Sequence, residues 1–313
     1  MMVDLTSERD LTLAAGTTIR FSVVVLTYAR DEMLGRTLET LAETAGARTD
    51  YEVILVDNNV DDVDRTGQIA RFAHHQLVRT GANKGVSARN DGMAVARGEI
   101  IVLLDDDVFV KTQGFLGVFA AAFDAHPDVG VLNVRKLDSA TLTLLPECVP
   151  HTDKGMDMDK PFFTFRFIGG LVAVRRTVFE TLGGYSTDFF YGEEERDWSY
   201  RIIKAGWKIY YEPGVTAVET NHSGGRSPRE RLRTQILGNR YIISFLHRPT
   251  LVMLYDSIFF TAKMWLHERG RLDVLGALRL FTAWLRKPDR RRRAPIDGKT
   301  QAYIRACGGT IWR

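Results

Sequence analysis

Three short apolar runs, Phe21 to Leu26, Glu52 to Val56 and Ile100 to Leu104, constrain this chain more than any other feature. Each is continuous rather than alternating and rich in Val, Ile and Leu, as a strand covered on both faces requires. Helical patterns lie between them. Leu34, Leu38 and Leu41 share one face, Ile69 to Ala73 has helical spacing, and Val86 to Arg97 is Ala-rich until Gly98 breaks it. A short strand near Leu77 and Val78 completes this part. Strands alternating with helices imply right-handed crossovers and a mostly parallel sheet, so the predicted class is α/β. In such sheets ligands bind beyond the carboxyl ends of the strands. All three runs end there in polar residues: Thr27-Tyr28, Asp57-Asn58-Asn59 and Asp105-Asp106-Asp107.

After residue 128 the alternation weakens. Val129 to Val134 and Leu171 to Val174 read as strands, separated by an irregular stretch, 138–160, that carries Pro146, Pro150 and Gly155. A long segment of that kind is usually functional. A helix is expected over Glu195 to Ala205, with Trp198, Ile202 and Ala205 on its buried stripe and Asp197 paired to Arg201 four residues on. Strands follow at Lys208 to Tyr211 and Val215 to Val218, and the pattern is then helical from Arg229 to about residue 287. The expected division is a catalytic domain over 1–225, with halves at about 20–127 and 128–225, and a basic helical extension over 226–313.

Charge is unevenly spread. Residues 226–313 hold 19 Lys and Arg against 6 Asp and Glu, although the whole chain carries only +3. The acidic front part suits a site that handles cations, and the basic tail suits an anionic surface. Cys148 and Cys307 are too few for a disulfide framework. The polar start does not resemble a secretory signal, and no run of about 18 apolar residues offers a spanning helix, so a cytoplasmic location is expected.

Three adjacent carboxylates after a buried strand repel one another, and a divalent ion resolves that conflict. Hard ions such as Mg²⁺ or Mn²⁺ take carboxylates together with substrate phosphate oxygens. The plainer alternative is that these acids cap a turn. In Glu193-Glu194-Glu195-Arg196-Asp197, Glu195 falls at the inner edge of a first helical turn, where the helix N-terminus favours an ionised carboxylate suited to a general base. Dipole compensation alone is the plainer alternative. His222 follows a strand and precedes Ser223-Gly224-Gly225, and a lone His there is more often structural than a ligand. The glycines at 85, 92 and 98 do not form a dinucleotide fingerprint.

Together these residues resemble glycosyltransferase family 2, in particular its bacterial rhamnosyltransferase-like members. The resemblance lies in the order of six motifs: Val24 to Arg30; Val56-Asp57-Asn58-Asn59; Asn83-Lys84-Gly85 with Ala88-Arg89-Asn90; Gly98-Glu99-Ile100 leading to Leu104-Asp105-Asp106-Asp107; Gly183-Gly184-Tyr185; and Glu194-Glu195-Arg196-Asp197 with Ala205-Gly206-Trp207. It spans roughly residues 20 to 225 and implies the GT-A fold. It also implies an inverting, metal-dependent transfer of sugar from a nucleoside-diphosphate donor, UDP- or dTDP-linked, to a hydroxyl of a carbohydrate or lipid-linked acceptor. By that resemblance Thr27, Tyr28, Arg30, Asp57, Asn59, Asn83, Lys84, Arg89, Asp105 and Asp106 would serve the nucleotide-sugar. Asp105, Asp107 and His222 would serve Mg²⁺ or Mn²⁺. Glu195 would be the base, with the register against Glu194 open, and Gly169, Gly170 and Trp198 would lie on the acceptor side. Polysaccharide or glycoconjugate biosynthesis at the cell surface would be the setting.

Leu251, Leu254, Ile258, Ala262 and Trp265, then Leu275, Leu278, Phe281 and Leu285, repeat at helical spacing ahead of Arg286, Lys287 and Arg290 to Arg293. Packing on the catalytic domain is one reading. An interfacial helix pair peripheral on anionic lipid is the other. No nucleic-acid-binding module accompanies the basic run. Two other classes compete: a catalytically inactive nucleotide-sugar-binding protein of the same fold, and a phosphate-accepting receiver domain, which would leave the later Glu cluster unexplained.

Overall fold

A computed structural model describes residues 18–220 and 229–311. Its first half is the expected parallel sheet: β1 (Phe21–Thr27), β2 (Tyr51–Asp57), β3 (His75–Arg79) and β4 (Ile100–Asp105), joined through α1 (Asp31–Thr44), α2 (Thr66–Ile69) and α3 (Arg89–Val95). The continuous apolar runs have a direct cause. Val23, Val25, Val53, Leu55, Val102 and Leu104 enter one core, under α1, while Val24, Ile54, Val56, Ile101 and Leu103 enter another on the opposite face. Each such side chain contributes about 1.5–3 kcal/mol by leaving water. The register sets Thr27 opposite Asp57 and Leu26 opposite Asp105, which aligns all three polar strand ends on one edge.

Beyond β4 the sheet becomes mixed. The remaining elements are β5 (Val108–Val110), α4 (Phe115–Ala125), β6 (Val129–Asp138), β7 (Phe162–Thr164), β8 (Leu171–Arg175), α5 (Arg176–Leu182), α6 (Glu194–Lys204) and β9 (Lys208–Glu219). The strand order is β3-β2-β1-β4-β8-β6-β9-β5, with β7 on β9. β8 runs antiparallel to both β4 and β6, whereas β6 and β9 are parallel. The two strands expected between 208 and 218 are one. Its register against β6 jumps from Glu212 to Thr216, so Pro213 and Gly214 bulge out without ending the strand. β5 and β7, at three residues each, are too short to carry a periodicity. On α6, Trp198 and Ile202 are buried as expected, but Ala205 lies exposed just past its end.

The C-terminal part forms α7 (Arg229–His247), α8 (Thr250–His267), α9 (Val274–Leu285) and α10 (Gly298–Ala306). Ile242, Ile243, Leu246, Trp284, Ile296 and Ile304 enter the same core as Trp198 and Ile202. α10 docks through Tyr303, whose hydroxyl donates to Thr164 O (2.8 Å) and accepts from Ile209 N (3.3 Å). The Arg run is not the tip of a helix. Arg291 pairs with Asp188 and Asp197, and Arg293 donates to Phe245 O and Arg248 O, so only Arg290 and Arg292 of the four face outward. The apolar faces of α8 and α9 are open: Leu251, Leu254, Ile258, Trp265, Leu275 and Leu278 are all exposed. No helix among the described residues is long and apolar enough to cross a membrane.

Candidate active site

The three aspartates after β4 diverge. Asp106 is buried and accepts from Thr27 Oγ1 (2.9 Å), Tyr28 N (3.3 Å) and the Arg30 guanidinium (3.0 Å). Asp107 accepts from the same guanidinium at 2.7 Å, and its carbonyl accepts from Thr220 N at the end of β9. Asp105, the most open of the three, takes Arg89. Burial and the adjacent Asp105 push Asp107 up to about 7, with Arg30 opposing. Burial also raises Asp106. Asp105 and Asp107 therefore offer hard oxygen donors at one strand end. Among the described residues no three His, Cys, Asp or Glu side chains form a metal-holding group. Two carboxylates completed by phosphate oxygens is the pattern that Mg²⁺ and Mn²⁺ accept, so the donor set fits such an ion. His222 lies outside the described residues.

A cleft of about 140 Å³ opens beside these acids, lined by Tyr28, Arg30, Asn58, Asn83, Arg89 and Asp105, with Asp106 behind and Phe190 and Tyr191 across it. The structure redistributes several expected contacts. Thr27 is fully buried and serves by holding Asp106. Asp57 is bonded to Asn59 and to the buried Arg65 (3.1 Å) and braces the loop; it is not among the residues lining the cleft. Asn59 carries Ala29 N, where the chain turns through a positive φ. Lys84 points outward to Asp91. Asn58, inside the motif but not singled out, is the residue of that turn that lines the cleft, and its amide bonds Asn83. Gly85 closes the floor. A β-carbon there would come 2.1 Å from Phe190 O, which accepts from Val86 N, so only glycine lets the two walls meet.

The glutamates approach from the other half. Gly170 O accepts from Asp105 N at 2.9 Å, and a β-carbon on Gly169 would sit 2.5 Å from Glu195 Oε1. Asp105 and Glu195 thus flank one glycine pair. Arg89 is near enough to both glutamates to act on their ionisation, and it also covers the Tyr185 ring. The helix position does not keep Glu195 at its ordinary value. Burial raises it, against its own backbone N–H and Arg89. Burial and neighbouring Glu195 raise Glu194 further, and Glu194 Oε2 is enclosed without a hydrogen-bond partner. Glu193 starts α6 in a left-handed conformation (φ 72°) and is held down by Arg196 and Arg240. Asp197 pairs with Arg201 as expected and also accepts from His247. Trp198, expected on the acceptor side, is fully buried between Phe167 and Tyr185 and has no surface to offer a substrate.

Lys136 was not anticipated. It is buried on β6, donates to Gly169 O and pairs with Glu219 at 3.3 Å, and these contacts keep its ammonium charged despite burial. A lysine near the end of β6, next to Arg135, was the available signal, and a weak one. The 138–160 segment is tethered: Val149 and Met158 pack on Tyr211, and His151 contacts Cys307 O.

The family profile described as Glycosyl transferase family 2 matches residues 22–183. N-acetylglucosaminyl-diphospho-decaprenol L-rhamnosyltransferase of Mycobacterium tuberculosis is 24% identical, over 88% of this chain and 98% of that protein. Validoxylamine A glucosyltransferase of Streptomyces hygroscopicus subsp. limoneus is 34% identical over 67% of this chain, which spans about half (52%) of that relative. Among solved structures, S. aureus TarS 1-349 superposes with a TM-score of 0.55 at 18% identity, covering 72% of this chain and 64% of that one. The mannosyltransferase PcManGT from Pyrobaculum calidifontis, in complex with GDP-Man and Mn²⁺, gives 0.55 at 23%, covering 85% and 74%. These structural likenesses speak for the fold.

Proposed function

The chain belongs to glycosyl transferase family 2, and we propose that it moves a sugar from a nucleoside-diphosphate donor to an acceptor hydroxyl with inversion at the anomeric carbon. The observation that carries this reading is the glycine pair with Asp105 on one side and Glu195 on the other. In a GT-A fold this is where the donor half and the acceptor half face each other.

The nucleotide lies in the cleft between Asn58, Asn83 and Tyr28, under Phe190 and Tyr191. Asp105 and Asp107 would hold Mg²⁺ or Mn²⁺, which would supply positive charge against the diphosphate leaving group. Arg30 and Arg89 supply positive charge on the same side. Glu195 accepts the proton of the acceptor hydroxyl as that oxygen attacks. Its raised pKa brings it nearer neutrality, where a general base works best. A single displacement needs no enzyme nucleophile, and it inverts the centre. Glu194, enclosed and more strongly raised, packs beside Glu195 and positions it. Lys136 orients the glycine pair and favours ionised Glu195 through its charge.

The acceptor is a lipid-linked sugar, in a polysaccharide or glycoconjugate pathway. Two features support it: the relative in M. tuberculosis is named for a diphospho-decaprenol acceptor, and a groove of about 670 Å³ between α7, α8 and α9 is lined by Tyr241, Phe245, Leu254, Ile258, Trp265 and Phe281. With Arg269, Arg271, Arg279 and Arg286 on the same helices and turns, this face suits the surface of an anionic membrane. The protein then works peripherally on the cytoplasmic face.

Two measurements test the proposal. Glu195→Gln should lower kcat by about 10²–10⁴ with donor affinity kept, and the product anomer, read by NMR, should be inverted; a retained anomer refutes the single displacement. Ile258→Glu with Trp265→Glu should abolish sedimentation with anionic liposomes, and unchanged sedimentation rejects the membrane face.

A further inference from the structure

Cations gather one turn along α6 from Glu195. Lys154 Nζ and an Arg166 guanidinium nitrogen both donate to the same carbonyl, Val149 O, each at 3.1 Å. Arg166 also bonds His151 O, and its Nε is buried with no acceptor. Neither side chain has a carboxylate partner among the described residues. Arg196 completes the group. Its partner Glu193 (2.5 Å) is shared with Arg240 (3.3 Å), which takes Asp256 as well. Four cations therefore face two carboxylates that are already engaged. The repulsion is felt: burial and Arg196 draw Arg166 down to about 10, and burial and Arg166 draw Lys154 down to about 8.

The cluster is placed relative to the base by the chain itself. Gly169 lies against Glu195, while Phe167 N donates to Ser199 Oγ, one turn further along α6. Arg166 is three residues from Gly169, at most about 10 Å of chain. The donor's diphosphate has its own partners in the other half of the site, at Arg30 and at the ion that Asp105 and Asp107 would hold. Arg166 and Arg196 are partly buried beside the exposed Lys154, and an arriving anion relieves the repulsion among the three. Guanidinium and ammonium groups converging on one point suit phosphate oxygens.

We propose that Lys154, Arg166 and Arg196 bind a phosphate or diphosphate group carried by the acceptor, and so fix which hydroxyl reaches Glu195. The proposal rests on reading Glu195 as the acceptor-side base. The carrier is the lipid of the proposed acceptor, and a polyol-phosphate polymer is the alternative that the test distinguishes.

Calorimetric titration of the full chain, in EDTA so that metal-dependent donor binding is suppressed, separates them. The probes are a C15 isoprenyl diphosphate, the matching C15 alcohol, and an oligomer of glycerol phosphate. One anionic probe should bind at least tenfold tighter than the alcohol. Arg166→Gln and Lys154→Gln should each erase that advantage, while Arg166→Lys keeps part of it and controls for folding together with the melting temperature. Preference for the diphosphate assigns a lipid carrier, and preference for the oligomer assigns a polymer. The proposal is overturned if neither anion outbinds the alcohol, or if folded Arg166→Gln binds as the wild type does. Binding of nucleoside diphosphates with Mn²⁺ is measured separately. Its loss, with probe binding intact, condemns the donor reading and leaves the anion site standing.

Discussion

Gly169→Ala separates catalysis from stability more cleanly than removal of any charged residue. A β-carbon at this position falls 2.5 Å from Glu195 Oε1, and its three nearest neighbours all belong to the Glu195 side chain. Ordinary contact needs at least about 3.4 Å, so the carboxylate must retreat by roughly 1 Å, and a misplacement of that size costs about 10²-fold, or ~2.7 kcal/mol of transition-state stabilisation. Folding should hardly notice. Gly169 does not adopt a left-handed φ, the atom displaced is the tip of a flexible side chain, and alanine restricts the unfolded chain. The expected result is a kcat about 100-fold lower, unchanged donor affinity and a melting temperature equal to or slightly above wild type. Gly170→Ala is the contrast: its φ of 96° strains any side chain and its β-carbon meets Lys136 Nζ at 2.9 Å, so it should melt earlier. Glu195→Asp shortens the reach, and adding Gly169→Ala to it should cost little more, because residues in contact are not additive. The assay is release of nucleoside diphosphate with acceptor present, beside a thermal melt. Gly169→Ala with wild-type turnover would refute the placement of Glu195 at the reacting hydroxyl.

Asp107→Asn should leave the metal-free protein as stable as wild type or more so, since burial and Asp105 already disfavour its charge, while abolishing the Mn²⁺-dependent rise in melting temperature with nucleoside diphosphate; a retained rise refutes Asp107 as a ligand. Acid should destabilise the fold through Asp197 and His247. Burial lowers His247 below its usual 6.5, and its Nδ1 has no partner to receive a second N–H, so the folded ring resists a proton that the unfolded one accepts. Despite burial, Asp197 is depressed from 3.8, held by His247, Arg201 and Arg291. Stability contributed by His247 falls as pH drops below 6.5, and that of Asp197 is lost further down, below 3.8. Urea midpoints between pH 7.5 and 5 should slope downward in wild type and less so in His247→Gln; parallel slopes sink the assignment to His247.

The parallel half of the fold was legible because its strands are buried on both faces, so Val24 and Val25 are apolar for separate reasons and the run stands out. The second half was harder. β5 and β7 are held by pairing with β9, a long-range fact with no local pattern. The bulge at Pro213 and Gly214 looked like a break because proline and glycine end strands elsewhere. The arginines at 290–293 gave no local sign of their partners either: Asp188 and Asp197, which hold Arg291, lie about a hundred residues away in sequence.

At the site, sequence motifs showed the acids but not what opposes them. Asp105 meets Arg89, Asp106 and Asp107 share Arg30, and Glu219 meets Lys136, each cation arriving from a different element. Arg30 and Arg89 were expected to touch the nucleotide-sugar. In the fold each also counters a carboxylate, which is why Asp106 and Asp107 can be buried at all. A divalent ion that binds Asp107 must therefore compete with Arg30, and an ion with only two carboxylates gains too little to do so alone. Donor phosphates supply both the missing oxygens and a new partner for the displaced guanidinium. Metal and nucleotide should consequently bind as one thermodynamic unit, each raising the affinity of the other by the same factor. Equal Mn²⁺ affinity with and without nucleoside diphosphate would show that Arg30 does not guard the site.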